Sequence, residues 1–328
     1  MAEMTKKQRV RAALAGQPVD RVPVSMWGHD YLREGTPEDI VATTLEQYRG
    51  SDWDFIKFNP RASYFAEAWG SEFASSSAER GGAPTHNAVG SVAELAALRP
   101  FDPRGGVFGE HLTALKMLLE AVGDEVDVLH TVFSPLSVVG RLCGTEPRLI
   151  ELASEDPAAT HSAIAAATET LAEYCVAALE TGAAGIFYAP LSWASHDVCS
   201  EDFYREFGRP YDLQILAGIR AAEFNVLHVC RNHNMIDLLL DYPVAAVNWA
   251  DRGQGNPSLA AVKGRTAMAV MGGIDQTGLA TMSAEETATQ ATDALTAGPD
   301  RLLLTAGCSI PPATTDANRA SVVAAARG

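Results

Sequence analysis

The chain has no closely paired cysteines: Cys143, Cys175, Cys199, Cys230 and Cys308 are an odd, widely spaced set without a CxxC. That is a poor disulfide framework. No apolar stretch approaches the roughly 18 uninterrupted residues of a membrane-spanning helix. The opening MAEMTKKQRVRAALAG reads as an amphipathic helix and not as a signal peptide, so cytoplasmic residence is the default expectation. Basic charge is scarce, with 25 Lys and Arg against 41 Asp and Glu for a formal net charge of −16. Without a basic stripe to neutralise phosphates, nucleic-acid and polyphosphate binding are disfavoured. No internal repeat, low-complexity tract or DxHxxG-type cobalamin-binding signature is evident, and Gly272-Gly273 gives backbone room without making a phosphate loop.

What is present is ample core material, 47% apolar residues in a chain of 328. Short apolar or β-rich runs recur at Val22–Trp27, Phe55–Asn59, Val126–Phe133, Gly185–Ala189, Asn225–Cys230, Ala245–Trp249, Ala267–Gly272 and Leu302–Ala306. Helical patterns mostly separate them, the rhythm of a parallel sheet covered by helices. Eight such units predict an α/β fold, a single (β/α)8 TIM-type barrel spanning residues 1–328. Thr36-Pro37-Glu38-Asp39 and the capping box Ser283-Ala284-Glu285-Glu286 mark helix starts. The Ala-rich stretch 158–184 predicts a plain helix. Residues 60–108, broken by Ser75-Ser76-Ser77, Gly81-Gly82 and Pro84, predict an insertion elaborating the barrel rim.

In such a barrel, residues just after each strand converge at one end. His228 and Cys230 end the fifth run, and Cys308 follows the eighth, 78 positions after Cys230. Residues two apart on a strand share a face, so His228 and Cys230 can both point inward while Val229 faces the helices. One imidazole and two thiols form a soft three-ligand zinc site with a position left for a reacting group. The plainer alternative is two buried apolar thiols and a core histidine. His233 is the weaker ligand candidate, since its loop should turn into the next helix capped by Asn232 or Asn234.

The same logic selects the remaining candidates. Asp251 and Asp275 are expected to act in catalysis, Asp251 also as a fourth or supporting ligand. Trp27, His29, Asn59, Arg61, Tyr188, Trp193, His196 and Trp249 are expected to bind substrate, and Ser134 follows the third run. The aromatics suggest a pocket for a flat or apolar body; rim packing and salt-bridge roles are the plainer alternatives.

RVRAALAGQPVDRVPVSMW, EDFYREFGRPYDLQIL, LHVC, MGGID and GCSIPPATTDAN together resemble the uroporphyrinogen decarboxylase superfamily over nearly the whole chain. The HxC pair and the distal Cys resemble the zinc site of its methylcobamide:thiol methyltransferase branch. That resemblance implies Zn2+ on His228, Cys230 and Cys308, a small thiol or another methyl acceptor, and a methylcobamide on a separate corrinoid protein, or a small molecule, as donor. Homodimerisation and the direction of transfer stay open. True uroporphyrinogen decarboxylases carry an early arginine-rich stretch and an aspartate for the pyrrole nitrogens; here Val22-Pro23-Val24-Ser25-Met26-Trp27-Gly28-His29-Asp30 replaces the first, and Lys57-Phe58-Asn59 stands near the second. A polyanionic tetrapyrrole suits a chain of charge −16 poorly. A metal-free decarboxylase and a non-catalytic corrinoid- or thiol-binding protein are the alternatives.

Overall fold

The computed structural model describes residues 2–328. In chain order the strands are β1 (Phe55–Phe58), β2 (Glu72–Phe73), β3 (Pro84–His86), β4 (Asp127–Phe133), β5 (Gly185–Ala189), β6 (Val226–Val229), β7 (Ala246–Trp249), β8 (Ala269–Ile274) and β9 (Leu302–Ala306). Seven of them form one all-parallel sheet in the order β1-β4-β5-β6-β7-β8-β9. Their residues are buried almost without exception. Burial on both faces explains why they read as continuous apolar runs and not as alternating ones.

The eighth stave is the segment expected as the first strand, Val22–Trp27, and it differs from that expectation. It joins β9 through the bridge Val24↔Leu304 and no continuous ladder. Leu304 N donates to Pro23 O at 2.9 Å and Ser25 N to Leu304 O at 3.2 Å, while Asp54 N donates to Val24 O at 2.7 Å on the other side. Pro23 has no N–H to add to a ladder. The segment nonetheless closes the sheet between β1 and β9 into a barrel.

Closure is reinforced by a buried carboxylate. Asp54 accepts from Arg9 at 2.7 Å, from Arg21 at 2.6 Å and from the Val24 N–H at 2.8 Å. These charge-assisted bonds tie the N-terminal helix Lys6–Leu14 and the closing segment to β1. Arg9 also holds the Asp20 carboxyl well below the usual carboxylate range.

Helix starts follow their sequence signals. Thr36 caps Pro37–Ser51, and Ser283 and Glu286 form a reciprocal capping box on Ala284–Leu295. The Ala-rich helix runs Pro157–Thr181 and stops at Gly182, whose φ of 117° is a left-handed terminus suited to glycine. The stretch 60–108 contains helices Tyr64–Glu67 and Val92–Ala97 and the antiparallel ribbon β2–β3. Among the described residues no helix is long and apolar enough to cross a membrane.

Candidate metal centre

Parallel-strand partners share a face, so the register shows which side chains enter the barrel. Thr131 pairs with Phe187, Phe187 with Val226, and His228 with Asn248. His228 lies two residues beyond Val226, so Phe187, His228 and Asn248 project to the same interior. Lys57, paired with Leu129 two residues before Thr131, joins them.

His228, Cys230 and Cys308 converge at the C-terminal mouth, with their donor atoms all within 4.8 Å of one another. Cys230 Sγ is 3.6 Å from Cys308 Sγ, and Cys308 Sγ is 3.4 Å from His228 Nε2. These separations suit a shared ion: tetrahedral zinc with bonds of about 2.3 Å to sulfur and 2.0 Å to nitrogen has S···S and S···N edges of roughly 3.8 and 3.6 Å.

The imidazole is aimed by its neighbour. Asn248 Nδ2 donates to Met271 O at 3.1 Å, Thr305 Oγ1 at 3.2 Å and Ala306 O at 3.1 Å. Two backbone carbonyls around that atom identify it as nitrogen, leaving Oδ1 to accept from His228 Nδ1 at 2.6 Å. Nδ1 therefore carries the proton, and the Nε2 lone pair faces the thiols as a metal ligand requires. Asn248→Ala is expected to weaken metal affinity about 10–100-fold without unfolding the barrel; competition titration with a chelator measures it.

The two sulfurs differ in acidity. Cys308 lies well below the usual thiol range because Cys230 donates to it, with His228 adding to the effect. Cys230 is raised by the same bond and by burial. Beneath them, Lys57 faces the rings of Phe187 at 5.0 Å and Trp27 at 5.8 Å, and its ammonium bonds Asn59 Oδ1. Burial pushes Lys57 down to about 7, against the opposing pull of Cys308 and Glu34.

The thiols open into a cavity of about 600 Å³ whose lining includes His29, Phe65, Phe133, Trp193 and Arg231. A larger hollow of about 1050 Å³ lies at the opposite end, among residues at or before the strand starts such as Asp127, Phe224 and Met268. It contains no histidine or cysteine, and barrel chemistry sits at the C-terminal face.

Of the expected substrate contacts, His29 and Trp193 line the thiol cavity. Trp27 packs in the core edge-on to Phe187 at 5.2 Å, and Asn59 donates to Gly28 O at 3.0 Å while receiving Lys57. Arg61 is committed to Glu67, which its Nη2 reaches at 2.7 Å. Tyr188 and Trp249 correct the expectation outright. Each follows an inward residue on its strand, Phe187 and Asn248, and so faces the helices, where Tyr188 donates to Asp212 at 2.6 Å and Trp249 to Pro257 O at 2.9 Å. His196 is half exposed near Glu201, and His233 bonds Asp197 at 2.9 Å, both outside the cluster.

The two carboxylates are also engaged elsewhere. Asp251 accepts from Gly273 N at 2.8 Å, pinning β8, and burial raises its pKa. Asp275 folds onto its own loop, accepting from Thr277 N at 2.9 Å and Thr277 Oγ1 at 2.6 Å. Neither belongs to the three-residue cluster. Ser134 caps the helix Pro135–Leu142. Asn248, Lys57 and Glu34 were missed by the strand-end logic; the available signal for Lys57 is a lysine inside the apolar run FIKF.

The family model described as uroporphyrinogen decarboxylase (URO-D) matches residues 5–328. Methylcobamide:CoM methyltransferase MtaA of Methanosarcina barkeri is 24% identical over 253 residues, covering 72% of this chain and 72% of its own. Methylcobamide:CoM methyltransferase MtbA of Methanosarcina acetivorans is 23% identical over 260 residues, covering 71% of this chain and 72% of its own. A solved methyltransferase from Methanosarcina mazei shares the fold with a TM-score of 0.82 at 25% identity, over 98% of each chain.

Proposed function

The chain belongs to the uroporphyrinogen decarboxylase (URO-D) family, and from that premise we propose that it is a zinc-dependent, corrinoid-linked methyltransferase with a small thiol as acceptor. The observation that carries the reading is the cluster itself: two thiols and a correctly oriented imidazole Nε2 at the mouth of the barrel. The relatives named as methylcobamide:CoM methyltransferases support it.

His228, Cys230 and Cys308 would hold the ion. When bound, zinc supplies a Lewis acid that lowers the acceptor thiol's pKa, and the two thiolates cancel its charge. The chain's own residues do the rest. Asn248 fixes the imidazole, while Phe65, Phe133 and Trp193 give the cavity apolar walls that limit water around a reactive sulfur. The acceptor sulfur forms its bond to the methyl carbon as the methyl–donor bond breaks. The donor is read as a methylated corrinoid on a separate protein, or a small methylated molecule.

The test is methyl transfer from free methylcobalamin to mercaptoethanol, followed by the corrinoid absorbance change. Transfer is expected with zinc, to fall at least about 100-fold after chelation, and to return on adding zinc back. Transfer indifferent to chelation, or uroporphyrinogen decarboxylation by metal-free protein, would contradict the reading.

A further inference from the structure

Beside the thiols stands a second polar pair that the metal cluster does not use. His29 Nδ1 lies 2.5 Å from Glu34 Oε1. A carboxylate only accepts, so Nδ1 carries the proton and Nε2 presents a lone pair. Glu34 is held in turn: its Oε2 accepts from Ala62 N at 3.3 Å, and Arg61 Nη1 donates to its backbone carbonyl at 3.3 Å. His29 is further fixed by stacking on Tyr31 with ring centroids 4.8 Å apart.

The pair sits next to the cluster for a backbone reason. Gly28 bridges Ile310, and Ile310 N donates to Trp27 O at 2.8 Å, which brings the chain at His29 beside the chain at Cys308 and Ser309. His29, Cys230 and Cys308 line one cavity. On its other side His29 borders a separate hollow of about 210 Å³, where Glu46 and Arg319 are the charged groups besides Asp30. Glu46 is paired with Arg33 at 2.8 Å and Arg319 with Asp316 at 2.7 Å.

We propose that the His29–Glu34 pair is the proton acceptor for the incoming thiol, an assignment that rests on the thiol-methyltransferase reading. The S–H bond breaks with its electron pair left on sulfur, and the proton passes to Nε2 of His29. The imidazolium so formed is balanced by the Glu34 carboxylate on Nδ1, and the proton on Nε2 leaves to water at the mouth of the thiol cavity. No oxidant or co-reactant is needed. Lys57 is held on Asn59 beneath the ring of Phe187 and does not line the cavity, and Glu146, which does, accepts from Ser192 Oγ at 2.6 Å.

The test reads thiol deprotonation without methyl transfer. Protein loaded with cobalt(II) is mixed rapidly with mercaptoethanol, and the thiolate-to-metal absorption band is followed against pH. In wild type the rate should rise through the titration of one group and then level. His29→Ala should slow it about 10²–10³-fold, abolish that titration, leave cobalt stoichiometry unchanged and respond to added imidazole. Glu34→Gln should cause a smaller loss in the same direction. Unchanged kinetics and pH profile in His29→Ala, with the band intact, would overturn the pair's role alone. Absence of any thiolate band in wild type would overturn the thiol reading and this assignment with it.

Discussion

Cys308→Ser should abolish stoichiometric zinc binding and lower methyl transfer on the order of 1000-fold or more, about 4 kcal/mol of barrel-mouth chemistry. Serine keeps the size and polarity of cysteine, but its hydroxyl is far less acidic and a poor ligand for a borderline-soft ion. The structure makes Cys308 the most exacting of the three positions, because it contacts both partners, Cys230 Sγ at 3.6 Å and His228 Nε2 at 3.4 Å. Its removal leaves a two-ligand remnant. The barrel itself should survive, since Cys308 lies beyond the end of β9 and its replacement leaves the β6–β7 ladder that carries His228 untouched. Metal analysis and activity should therefore collapse while circular dichroism and the melting transition change little. Parallel loss of fold would mean that the cluster is a structural staple.

The largest stability effect is expected far from the metal. Asp212 is fully buried and accepts from three tyrosine hydroxyls: Tyr188 at 2.6 Å, Tyr204 at 2.5 Å and Tyr242 at 2.9 Å. Asp212→Ala opens a cavity and strands three hydroxyls, and should destabilise the protein by about 3–5 kcal/mol in denaturant titrations. The wild-type pH dependence has a definite sign. Burial raises the carboxyl from 3.8 to about 6 against the pull of the tyrosines. A group that binds its proton more tightly when folded costs stability above its folded pKa. This cost should therefore fade as pH drops from about 6 to about 4, by an amount on the order of 2 kcal/mol. Asp212→Asn should remove that pH dependence and destabilise less than Asp212→Ala.

The same carboxylate marks a boundary of what could be read from residues alone. Gly185–Ala189 and Leu302–Ala306 appear as strands with the expected limits, because one run is bounded by Gly185 and Pro190 and the other by Arg301 and Gly307. HxC carries its own alternation, and in a barrel the strand ends alone predict the meeting of His228, Cys230 and Cys308. Their places at or near strand ends put Tyr188 and Trp249 among the expected pocket residues; which way such a residue points depends on register with its neighbour, and register is set by the assembled sheet. Asn248 was illegible for that reason, although it sits directly opposite His228. Asp251 and Asp275 lie after strands as expected, but local N–H groups at Gly273 and Thr277 capture their oxygens. The partial eighth stave shows the other limit: Pro23 interrupts the ladder, and only tertiary bonds to Leu304 and Asp54 reveal that the barrel closes there.

In the proposed function three side chains hold one zinc ion with a position for an acceptor thiol. X-ray absorption at the zinc edge, on zinc-loaded protein before and after adding mercaptoethanol, tests it most directly. One zinc per chain is expected, bound by two sulfurs and one imidazole nitrogen and gaining a third sulfur when the thiol is added. Protein that takes up no zinc, or zinc whose sulfur count stays the same with saturating thiol, would contradict it.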